Sequence, residues 1–156
     1  MRNAFFIIQF FSNFGLTLST LFIPLLAEEL KASRVEIGLI VTAYNASIFL
    51  SSYIFGRISD LYGKKPVITI GLLAASFVFG AQILIHDIHS LLFFRIMAGL
   101  AAGAFPAALT TLAFETGSSL GMYAALGSLG WALGGIAAGL LKSYEALFLG
   151  SSTVFL

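Results

Sequence analysis

Apolar residues run along this chain in long blocks separated by short polar punctuation. Five blocks, about residues 4–26, 35–59, 66–85, 91–114 and 120–141, each hold the roughly 20 mainly apolar residues that a helix needs to cross a bilayer. Each predicts a membrane-spanning helix. A sixth block, 146–156, is too short to span, which predicts a chain cut within a sixth helix. The connections "EELKASR", "DLYGKK", "HDIHS", "ETGSS" and "KSYE" leave no room for a soluble domain. The first block follows Arg2 as a signal peptide would. It is too long for one, however, and lacks a small-x-small cleavage site before Glu28, so it reads as an anchor.

Composition strengthens this picture. Residues are 59% hydrophobic and 10% charged, with a mean hydropathy of +1.01, whereas soluble domains are about 25% charged. A net charge of +1, with no basic run beyond Lys64 and Lys65, excludes the broad basic field of a nucleic-acid binder. The absence of cysteine removes disulfides, thiolate chemistry and cysteine-held metals. Loop charges predict orientation: with the N-terminus cytoplasmic, that side carries Arg2, Arg57, Lys64 and Lys65, against Lys31, Arg34 and Lys142 outside. The acids follow the same sense, Asp60 and Glu115 inside, Glu28, Glu29, Glu36, Asp87 and Glu145 outside. The expectation is a multi-pass protein of the cell membrane with its N-terminus in the cytoplasm.

Three polar features stand out against the apolar background. In the first span Gln9, Asn13, Thr17 and Thr20 recur at helical spacing and share a face. That stripe either lines a solute cavity, with Asn45 of the second span as a further candidate, or hydrogen-bonds between helices at roughly 0.6–2 kcal/mol each. Arg95 is the one charge well inside a span, where it costs on the order of 2.5–3.5 kcal/mol. It either meets a partner or water, or snorkels to the nearby surface. Gly99 and Gly103 share its face and predict a close helix contact, with a bend at Pro106. Gly127, Gly130, Gly134, Gly135 and Gly139 predict close packing of the fifth span, with Trp131 directed into the cavity or toward lipid.

The third feature is the stretch "GRISDLYGKKP", residues 56–66, which gathers Arg57, Asp60, Lys64 and Lys65 at the turn between the second and third spans. Gly63 suits a reversal with positive φ and Pro66 suits a helix first turn. Gly56 with Ser52 makes a small-residue face open to close helix approach. The spacing Gly56-x-x-x-Asp60-x-x-Gly63-Lys64-Lys65 resembles the signature loop of the major facilitator superfamily. Arg95-x-x-x-Gly99-x-x-x-Gly103 resembles that family's fourth-helix motif, and "GWALGG", Gly130 to Gly135, its drug-antiporter fifth-helix motif, although Leu61 and Trp131 depart from the usual arginine and proline.

The resemblance implies an all-α integral membrane fold: the N-terminal six-helix half of a twelve-helix bundle, here five complete spans and a truncated sixth. It also implies a secondary transporter of the solute or drug-efflux kind, working by alternating access, needing the C-terminal half, the lipid bilayer and a small solute with a possible coupled proton, and no cofactor. By position Asp60 would latch the cytoplasmic side against a helix start of the other half, with Arg57, Lys64 and Lys65 either orienting it or pairing with Glu115, or else simply contacting anionic lipid at about 1 kcal/mol per basic residue. Gln9, Asn13, Thr17, Asn45, Arg95 and Trp131 would then border the cavity.

Two other functional classes have some support in the sequence. "GSSLG", 117–121, matches a hydrolase nucleophile elbow on Ser119, but the pattern needs a strand and a nearby histidine, and His86 and His89 belong to the opposite membrane face. Those histidines with Asp87 lack a fixed metal-ligand pattern. The remaining alternative is a noncatalytic half-transporter that acts as a membrane interaction partner.

Overall fold

The computed structural model describes residues 4–141 and 143–156; Arg2 and Lys142, which enter the loop charge count, lie outside them. The described residues contain helices and turns and no strand. Five helical stretches are long and apolar enough to cross a membrane, of 26, 29, 21, 28 and 21 residues.

The first is broken in two, α1 (Ala4–Thr20) and α2 (Ile23–Glu29). The cause is Pro24, in the first turn of α2. Its ring displaces the carbonyl four residues back, which is that of Thr20, and it has no N–H to offer there. The continuous first block gave no warning of this interruption. The second span is the single helix α3 (Arg34–Tyr62), begun by Ser33. The Ser33 hydroxyl accepts from the Glu36 N–H at 3.3 Å and the Glu36 carboxylate accepts from the Ser33 N–H at 2.8 Å, a reciprocal cap that fixes the helix start. At the other end Gly63 alone, at φ +94°, reverses the chain into α4 (Lys64–Ala81); side chains rarely tolerate that backbone.

A 3₁₀ turn, Gln82–Leu84, completes the third span, and Asp87 caps α5 (Ile88–Ala104). Pro106 then separates α5 from α6 (Pro106–Glu115) at Phe105, in line with the expected bend. Ser119 caps α7 (Leu120–Leu140) and Ser143 caps α8 (Tyr144–Val154), each hydroxyl accepting a backbone N–H three residues on.

Two helix pairs form the frame, α1 on α7 and α3 on α5. Both are joined by glycines. A Cβ on Gly99 would fall 2.5 Å from the Tyr44 carbonyl oxygen, and one on Gly103 2.5 Å from that of Ile48. A Cβ on Gly134 would lie 2.6 Å from the Phe14 carbonyl oxygen, and Gly130 is pressed onto Phe10 in the same way. In lipid, where helices gain nothing from leaving water, such backbone approach is the main source of association.

Three of the glycines expected to pack closely do not. Gly135 would meet only the methyls of Leu21 and Thr17 at 3.9 Å, Gly139 has nothing within 4 Å, and Gly56 has only the Ala107 methyl at 3.9 Å. The close-packing expectation is corrected for them. Gly127, Gly130, Gly134 and Ala138 recur at three, four and four residues and form the buried face of α7, whereas Gly135 and Gly139 are turned off it.

The short α8 fits between α1 and α4. Ser76 and Ser152 exchange hydroxyl-to-carbonyl bonds of 2.8 Å in both directions, and the Ser151 hydroxyl donates to the Gly15 carbonyl at 2.6 Å. Phe155 packs on Phe79 and Phe105. Large apolar side chains such as Phe49 and Phe77 stand outward, 78% and 79% exposed. In water such surfaces would aggregate; around a membrane bundle they meet acyl chains.

Candidate functional site: a divided polar recess and a charged turn

Two adjoining recesses open between the helix pairs. The first has a volume of about 290 Å³. Helix α1 contributes Thr17 and Thr20 to it, α3 contributes Val41, Tyr44 and Asn45, and α5 contributes Arg95. Its remaining walls are Leu21, Ile23 and Pro24 at the α1–α2 break, and Trp131 of α7. The second, more open and of about 430 Å³, is bordered by Gln9, Asn13, Ala124, Gly127, Ser128 and Trp131. All six side chains expected at a cavity therefore border one recess or the other. Trp131, 60% exposed, stands between them.

The polar stripe of α1 is partly self-satisfied. Asn13 Nδ2 donates to the Gln9 carbonyl and Thr17 Oγ1 to the Asn13 carbonyl, both at 2.9 Å. Asn45 Nδ2 likewise donates to the Val41 carbonyl at 2.8 Å. These side chains need no second helix, and they leave their acceptor oxygens available.

Arg95 does not snorkel. It is 1% exposed, with its guanidinium carbon 3.8 Å from the centre of the Tyr44 ring and Nη2 3.4 Å from Thr20 Oγ1. A desolvated cation over an aromatic face gains about 2 kcal/mol or more, enough to offset most of the insertion cost. Its Nε and Nη1 have no hydrogen-bond partner among the described residues. Tyr44 was missed from sequence. The available signal was the arginine itself, since a charge inside a span calls for a partner, and the close Gly99 contact carries Arg95 to the level of Tyr44.

The charged turn lies at one end of the bundle. Lys64 Nζ and Glu115 Oε1 form an ion pair of 2.9 Å that joins the α3–α4 turn to the end of α6. Arg57 rests over the Tyr53 ring at 5.2 Å. Asp60 and Lys65 are exposed and make no ion pair among the described residues. At the opposite end the Asp87 carboxylate accepts the Ser90 N–H at 2.6 Å, and this bond holds its carboxyl below the usual range. Ser119 is committed to capping α7, accepting from the Met122 N–H at 3.3 Å. It lies a full span, Ile88–Glu115, from His86 and His89, roughly 42 Å at 1.5 Å per residue. Serine and histidines cannot act together.

A bundle of spanning helices joined by close glycine contacts, with polar recesses inside and lipid-facing apolar walls outside, defines a multi-pass membrane protein of the transporter class. The family model of the Major Facilitator Superfamily matches residues 5–156, and the chain belongs to that family. It is 30% identical to an uncharacterized MFS-type transporter, YybF, of Bacillus subtilis, over 78% of this chain and 32% of that protein. It is 29% identical to the multi-drug resistance efflux pump PmrA of Streptococcus pneumoniae, over 96% and 40%, respectively. Over 66% and 27% it is 30% identical to the quinolone resistance protein NorA of Staphylococcus aureus. The chain thus spans between 27% and 40% of the length of these relatives.

Proposed function

We propose that residues 1–156 are the N-terminal transmembrane half of a secondary transporter that exports a small amphipathic solute or drug by alternating access. The observation that carries this is the pair of recesses meeting at Trp131, whose polar side chains come from α1, α3, α5 and α7 and face a space the chain does not itself close. Membership of the family, with one relative named as a multi-drug resistance efflux pump and another as a quinolone resistance protein, supports the substrate class. A second group of spans would supply the opposing wall, and protons are the proposed coupling ion.

In this reading the turn at Gly56, Asp60, Gly63, Lys64 and Lys65, tied to Glu115, forms the cytoplasmic gate. Asp60, exposed and without an ion-pair partner among the described residues, would latch onto a helix start in the other half, where the positive end of a helix favours a carboxylate. The test compares Asp60→Asn with Asp87→Asn in the transporter carrying these helices and its remaining spans. Efflux should fall at least about tenfold in the first and stay near wild type in the second, with equal membrane insertion of both. Equal efflux by the two variants would remove Asp60 from the mechanism.

A further inference from the structure

We infer that the recess beneath Trp131 takes a ligand with a carboxylate head and a compact apolar body, and that Arg95 receives the head. The inference deepens the proposed function and rests on its reading of this recess as a solute site.

The charge accounting carries it. Arg95 is the sole charged residue lining the recess. The one ion pair among the described residues is Lys64 with Glu115, so no carboxylate of this half neutralises the guanidinium. The Tyr44 ring attracts the cation through its π face, but a ring face is a poor substitute for an oxygen at Nε and Nη1. The bond to Thr20 is long, 3.4 Å. Buried donors on a full charge that lack an acceptor are costly, and a planar guanidinium fork matches a carboxylate through paired N–H groups.

Among the other polar groups, Thr17 and one N–H of Asn45 already donate to their own helix carbonyls. The rest of the wall, Leu21, Ile23, Pro24, Val41 and Trp131, suits an apolar body. A volume of about 290 Å³ lies at the small end of ligand pockets, roughly 300–1,000 Å³, which favours a single-ring molecule.

Trp131 is the only tryptophan in the chain and borders both recesses, so its emission reports binding in either, and a preference for the carboxylate assigns that binding to the recess that holds Arg95, the sole charged residue bordering either one. The experiment titrates the chain, in nanodiscs of zwitterionic lipid at pH 7, with 3-phenylpropionate, 3-phenylpropionamide and 3-phenylpropylamine. The carboxylate should give a saturable change in Trp131 emission at concentrations at least about tenfold lower than either counterpart, and Arg95→Gln should abolish that preference. Equal binding of amide and acid, preference for the amine, or no saturable change with the acid would each overturn the inference. The wild-type ranking decides the matter even where Arg95→Gln fails to fold.

Failure here is distinct from failure of the transporter reading. Saturable carboxylate binding in a full transporter that moves none of these probes, or any other solute, would sink transport and leave the carboxylate site. Efflux with a preference for the amine would do the reverse.

Discussion

Arg95 and Tyr44 illustrate how a single costly residue is tolerated within a membrane. The guanidinium is removed from both water and lipid, and its largest compensation is the ring 3.8 Å away. That contact uses the ring face, which phenylalanine would keep. Tyr44→Phe should therefore leave thermal unfolding of the chain in nanodiscs within about 0.5 kcal/mol of wild type, an ordinary value for a substitution that spares the interaction. Tyr44→Leu removes the π face while leaving the charge buried, and should destabilise by about 2 kcal/mol or more. Equal stability of the two variants would mean that the cation is held by something other than the ring.

Among the helices, the decisive question is which face each glycine occupies. Gly130→Val places branched carbons against the Phe10 backbone, and neither main chain can yield without separating α1 from α7. It should cost about 3 kcal/mol or more, at the severe end of overpacking, and reduce the monodisperse yield after extraction. Gly139→Val, nine residues along the same helix, meets open space and should be tolerated within about 0.5 kcal/mol. Similar losses in both would indicate an effect of helix propensity or lipid rather than packing. This contrast also shows how far the sequence could be read. Span positions follow from hydropathy because the bilayer imposes a length, and the Pro106 bend followed from the missing N–H. The α1–α2 break did not, because Pro24 lies near the end of an apolar block that continues through it. Gly135 and Gly139 were grouped with their neighbours by composition, when the three-and-four spacing of Gly127, Gly130 and Gly134 would have separated them. Side chains at the recess were legible where polarity stood out from apolar surroundings. Tyr44 was not, since it reads as ordinary aromatic content until the fold sets it against a residue 51 positions away.

For the molecule as a whole, orientation decides which side of the membrane the charged turn faces. Ser33 and Ser143 cap helices at the end that carries Asp87, and Ser118 lies at the end that carries Lys64 and Glu115. Cysteines at Ser33 and Ser143 should be labelled by impermeant thiol reagents from outside intact cells, and one at Ser118 should not. The native chain has no cysteine to obscure the result. Labelling of Ser118 from outside would turn the bundle over and move the charged turn to the outer face. The link at that turn has an internal tension of its own. Lys64 opens α4, where the helix end is already positive, and Glu115 closes α6, where it is already negative. Each charge is frustrated within its own helix and relieved only by the other. The bond therefore opposes separation of α4 from α6, because parting them would return each charge to a helix end of its own sign.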